Sequence, residues 1–85
     1  MEGHCLCGAV TIKIHDPELF YRPRSGHYCH CRNCRRVAGG LFGANLAIEK
    51  EKVEILGEEN LTGYVDTDTT SGTPMTRSFC KHCGT

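Results

Sequence analysis

A chain of 85 residues is one small domain at most, and chains of this size bury little core and often need a metal or disulfide staple. Ten Lys and Arg balance ten Asp and Glu, so nothing global marks a polyanion-binding protein, and nucleic acid is not an expected partner. No apolar run is long enough to span a membrane. The opening Met1-Glu2-Gly3-His4-Cys5 has neither the basic nor the apolar region of a signal peptide, so no membrane contact and a reducing, cytoplasmic setting are expected.

Residues 9–14 alternate Val10, Ile12 and Ile14 with Thr11 and Lys13, the pattern of a half-buried strand that Asp16-Pro17 ends. Residues 19–21 suggest a second strand, interrupted by Arg22-Pro23-Arg24-Ser25-Gly26. Residues 27–31 lead into a cysteine cluster, and 34–38 suit a single helical turn stopped by Gly39-Gly40. The most apolar stretch, 41–48, reads as a buried strand. Residues 53–56 and 61–65 read as short strands joined by a turn at 57–60, and 66–73 as a loop. Residues 75–79 form a last strand. The class is all-β: a small domain of short antiparallel strands, spanning residues 1–85 without internal repeat.

The chemistry lies in seven cysteines grouped as Cys5-Leu6-Cys7, Cys29-His30-Cys31-Arg32-Asn33-Cys34 and Cys80-Lys81-His82-Cys83. A reducing compartment and an odd count argue for metal rather than disulfides. Cys5, Cys7, Cys80 and Cys83 supply the four thiolates that close a tetrahedral structural zinc site. That metal would tie together nearly the whole chain, so its loss should unfold the domain. Cys29, Cys31 and Cys34 supply three, leaving one position open to a substrate. Two zinc ions are therefore expected, and seven thiolates with two zincs take the formal charge to about −3.

The middle cluster has alternatives. His27 or His30 could complete a closed Cys₃His site, although an extended backbone would turn His30 away from the ion. An iron–sulfur cluster is a lesser alternative, since the spacing matches no common cluster motif. Arg32, Arg35 and Arg36 flank the site and read either as a grip for substrate carboxylates or as a solvated basic turn. Arg22 and Arg24 extend the same patch. The rival to an enzyme is a non-catalytic zinc module that binds protein or nucleic acid; four protein ligands at the middle site would favour it.

The ordered motifs Cys5-Leu6-Cys7-Gly8, Cys29-His30-Cys31-Arg32-Asn33-Cys34-Arg35 and Arg77-Ser78-Phe79-Cys80-Lys81-His82-Cys83-Gly84 resemble those of the glutathione-dependent formaldehyde-activating enzyme family, which includes the centromere protein V relatives. The resemblance runs from end to end. It implies a zinc-stapled fold of the β-tent type, with structural zinc on Cys5, Cys7, Cys80 and Cys83 and catalytic zinc on Cys29, Cys31 and Cys34. The implied activity is that of a carbon–sulfur lyase, making or breaking the bond between glutathione sulfur and a formaldehyde carbon. A small thiol such as a glutathione adduct is the implied partner, and His30 is the nearest residue to move a proton. Family domains continue for several strands past the last Cys-Gly. The resemblance therefore implies a C-terminally incomplete domain with an open sheet edge suited to self-association, and thiol binding without turnover is the expected behaviour.

Overall fold

The computed structural model describes residues 1–21 and 26–85, which leaves Arg22 and Arg24 of the basic patch outside the described residues. Among the described residues are seven strands and one α-helix: β1 (Glu2–His4), β2 (Thr11–Ile14), β3 (Gly26–Cys29), α1 (Arg32–Ala38), β4 (Gly43–Leu46), β5 (Val53–Leu56), β6 (Leu61–Asp66) and β7 (Met75–Cys80). They divide into two compact units, Met1–Ile14 with Glu54–Thr85, and His15–Val53. Short antiparallel strands dominate, as the all-β pattern predicts.

In the first unit β1 and β2 pair antiparallel, with His4 opposite Thr11, and β2 also neighbours β5. β6 and β7 form a second antiparallel pair that sets Leu61 opposite Cys80. The core consists of Cys5, Val10 and Cys80, with Ala9, Ile55, Leu61 and Cys83 packed against it. Cys80 is fully buried, so thiol groups occupy the place that aliphatic side chains fill in larger domains. Asp66 is also buried, and Arg77 Nε donates to its carboxylate at 3.0 Å across the β6–β7 pair. A carboxylate in that position needs such a partner to stay charged.

In the second unit β3 pairs antiparallel with β4, Cys29 lying opposite Gly43. α1 starts at an N-cap Cys31 and ends at Gly39, whose amide returns to the Arg35 carbonyl at 3.0 Å. The stop is where the glycine pair predicts it. The start is two residues earlier, because the Cys31 sulfur accepts the Cys34 amide at 3.2 Å and so nucleates the turn.

Two expectations are corrected. Residues 19–21 form turns rather than a strand: Asp16 Oδ1 accepts the Glu18 amide, and the Asp16 carbonyl accepts that of Leu19, curling the chain. The stretch 41–48 contains only a four-residue strand, and it is not buried. Leu41, in the bend before β4, is 83% exposed and Leu46 at its end 39%; α1 packs on β4 where Gly43 meets Cys34, and Gly43 is the one buried residue of the strand. The strand β1 has no apolar alternation and was not expected; its place follows from pairing with β2.

Candidate metal centres

The four-thiol group is built from two tight turns. After β1, the Cys5 carbonyl accepts the Gly8 amide at 3.1 Å, and the Cys5 sulfur accepts the Val10 amide at 3.3 Å. After β7, the Cys80 carbonyl accepts the Gly84 amide at 2.8 Å, and the Cys80 sulfur accepts the His82 amide at 3.4 Å. Each turn thus aims a backbone N–H at a sulfur, an arrangement that favours thiolate. The turns bring the sulfurs of Cys5, Cys7, Cys80 and Cys83 within 4.8 Å of one another.

The spacing fits a metal better than any cross-link. Cys5 and Cys7 sulfurs lie 3.6 Å apart, and those of Cys7 and Cys80 3.7 Å. Four sulfurs held tetrahedrally at a zinc–sulfur distance of about 2.3 Å are separated by about 3.8 Å, whereas a disulfide requires about 2.05 Å. All seven cysteines are free thiols.

The electrostatics of the group ask for a cation. The Thr85 amide, with help from the Cys7 amide and the Thr85 hydroxyl, brings Cys83 down to about 5. The Val10 amide likewise lowers Cys5. Cys7 goes the other way: the Ala9 amide pulls it down, but burial and the neighbouring thiols outweigh that and push it up to about 11. Four anions cannot share so small a space unless a positive ion replaces the protons.

The three-thiol group lies in the second unit, where the end of β3 meets the start of α1. Cys29 closes β3, Cys31 caps α1 and Cys34 lies in its first turn; their sulfurs are within 4.8 Å of one another. The Cys34 amide, joined by the side chains of Cys34 and Cys29, lowers Cys31 to about 7, and the Cys31 and Cys29 thiols push Cys34 up to about 11. Among the described residues no histidine, carboxylate or further cysteine completes the set. The His30 ring tilts against Phe42, with centroids 5.4 Å apart, and Phe42 in turn meets Tyr28 edge-on at 4.8 Å. His27 Nε2 lies 3.5 Å from the Asn45 amide nitrogen. Arg32, Arg35 and Arg36 are exposed and form no ion pair with a described residue.

Two glycines and an asparagine matter here that motif spacing does not reveal. Gly43 faces Cys29 across the β3–β4 pair, and a Cβ built on it would lie 3.3 Å from the Cys34 Cβ. Gly43→Ala should therefore displace Cys34 by a few tenths of an ångström. The expected result is weaker metal binding at the three-thiol group, by about 10-fold, with little change in the first unit's melting. Metal titration with a competing chelator checks this, and unaltered affinity would show that the contact is slack. In the turn before β6, Asn60 Nδ2 donates to the Ala9 carbonyl two residues past Cys7, and Gly57 leaves that carbonyl the space that a Cβ would fill.

Comparison with known proteins agrees with the motifs. The family described as glutathione-dependent formaldehyde-activating enzyme matches residues 1–85. A protein of Halomonas elongata, whose name assigns it provisionally to the glutathione-dependent formaldehyde-activating enzymes, is 31% identical over 84 residues, covering 98% of this chain and 51% of its own length. An uncharacterized lyase of Schizosaccharomyces pombe is 35% identical over 86 residues, covering 99% of this chain and 53% of its own. The chain thus spans about half the length of the curated relatives it matches. Among the described residues no helix is long and apolar enough to cross a membrane.

Proposed function

Because the chain belongs to the glutathione-dependent formaldehyde-activating enzyme family, we propose that residues 1–85 act as one zinc-binding domain of a carbon–sulfur lyase. Its substrate would be a glutathione–formaldehyde adduct. The observation that carries this reading is the contrast between the two groups: four converging thiols in one unit, and three with no fourth protein ligand among the described residues in the other. A closed set stabilises a fold; an incomplete one leaves room for a substrate sulfur. Seven free thiols suit the reducing cytoplasm as the working compartment.

In the direction of adduct formation the S–H bond of free glutathione breaks, a bond forms between that sulfur and the formaldehyde carbon, and the carbonyl oxygen takes up a proton. The reverse reaction returns the proton and releases the aldehyde. Cys29, Cys31 and Cys34 would hold the ion. Zinc in such a site supplies Lewis-acid stabilisation of a thiolate at neutral pH. Arg32 and Arg35 are exposed cations close in sequence to the thiols, and glutathione carries two carboxylates for such groups to pair with. His30, between two of the thiols, is the candidate to carry the proton through a ring nitrogen.

Cobalt loading tests the proposal. Glutathione at millimolar concentration should change the ligand-field and sulfur charge-transfer bands of one of two bound ions, as an added sulfur enters its coordination. Cys34→Ser should abolish that response and leave the other ion's bands in place. An unaltered spectrum, or a protein histidine found as the fourth ligand, would favour a non-catalytic zinc module instead.

A further inference from the structure

Asn60 follows Glu58 and Glu59 in a single 3₁₀ turn and precedes β6, far in sequence from Cys5 and Cys7. Each of its polar groups is nevertheless engaged around that group. Its amide donates to the Gly57 carbonyl at 2.9 Å, which holds the turn closed. Its carbonyl accepts the Lys81 amide at 2.8 Å, inside the Cys80–Cys83 turn. Its side-chain Nδ2 donates to the Ala9 carbonyl at 3.3 Å, two residues past Cys7. Its Oδ1 lies 2.8 Å from His82 Nε2.

The orientation of the side chain follows from these contacts. Only the NH₂ group can serve the Ala9 carbonyl, so the oxygen faces His82, and His82 must carry its proton on Nε2 to donate to it. One residue therefore grips both turns of the four-thiol group by hydrogen bonds. One grip is on the segment after Cys7, 51 residues away in sequence; the other is on the backbone and the histidine between Cys80 and Cys83.

We propose that Asn60 is the positioning residue that aligns the Cys5–Cys7 and Cys80–Cys83 halves, and that this alignment sets the metal affinity of the four-thiol centre. The inference rests on the reading that these four thiols hold zinc. It adds that the two halves are brought into register by an amide clamp as well as by the ion itself. Groups that orient metal ligands from behind commonly change affinity by about 10- to 100-fold when removed.

The test uses the whole chain, loaded with cobalt or zinc and titrated with a competing chelator, with native mass spectrometry to count the ions. Asn60→Ala should weaken the four-thiol centre by about 10- to 100-fold and leave the three-thiol centre unchanged. Its cobalt–thiolate charge-transfer bands should broaden or shift as the sulfurs lose register. His82→Ala removes one bond at an exposed side chain and should give a smaller loss in the same direction. His82→Gln should recover part of it, because its amide nitrogen can donate to the Asn60 oxygen. Should Asn60→Ala fail to fold, the two His82 variants carry the test alone. Wild-type affinity in Asn60→Ala or His82→Ala overturns the proposal, as does an equal loss at both centres, which would indicate general loosening. A wild-type chain that takes up no metal on these four thiols overturns the zinc reading, and the clamp with it.

Discussion

Replacing Cys80 by serine is expected to abolish the cooperative melting of the first unit and to release one of two metal ions. Cys80 is fully buried at the centre of that unit's core and contributes a sulfur 3.7 Å from that of Cys7. Structural zinc contributes about 10–16 kcal/mol of apparent binding free energy in small peptides, as large as the whole stability of an ordinary domain. A core of three buried residues, two of them cysteine, has nothing comparable to substitute for it. Cys34→Ser should behave differently. It removes the second ion, yet its backbone amide still caps the Cys31 sulfur, and the first unit should melt as before. Metal analysis beside thermal denaturation by circular dichroism separates the two. If both variants unfold the first unit equally, the division into a structural and a substrate-facing centre is wrong.

Gly57→Ala is expected to be the most damaging substitution away from the cysteines. Gly57 has φ of 82°, and an added Cβ would collide with the Ala9 carbonyl oxygen. The left-handed conformation alone costs a side-chain-bearing residue roughly 1–2 kcal/mol. The collision adds to this, because the obstructing atom is backbone. It cannot move without shifting the Cys5–Gly8 turn, so a total of about 3 kcal/mol or more is expected. Gly72→Ala is the control: its φ of 78° is nearly the same, but nothing lies within 4 Å of the new Cβ. Chemical denaturation of the metal-loaded chain measures both. Equal losses would mean that the Ala9 contact is easily relieved.

The two examples mark what was legible in the sequence. Cysteine spacing is a local property, so the grouping into four and three follows from counting along the chain. The strands β5, β6 and β7 are legible for a similar reason, since turn residues bound short runs of strand-forming side chains. The clamp is not local. Ala9 and Asn60 are joined across 51 residues by a side-chain amide, and neither residue has a pattern around it that announces the other. Gly57 reads in sequence as an ordinary turn glycine; that it also clears space for the Ala9 carbonyl emerges only once β2 and β6 are in place. The stretch 41–48 shows the opposite failure. Its composition is that of a core strand, but composition cannot say which of its residues a second layer covers, and Leu41 and Leu46 are exposed.

The difference in sequence span between the two thiol groups carries over to the order in which they can assemble during biosynthesis. Cys29, Cys31 and Cys34 lie within a six-residue stretch, and a ribosome exposes all three almost together. Cys7 and Cys80 are 73 residues apart, so the second group has no complete form until almost all of these residues have emerged. Closing the longer loop also costs about 2 kcal/mol more in chain entropy than closing the shorter. With zinc on both groups, as proposed, the nascent chain would meet its first ion as a local event and its second as a final, long-range one. In metal-poor cells, newly made chains that stall halfway should carry their single ion on the middle cysteines, with the first two thiols still exposed to oxidants and chaperones.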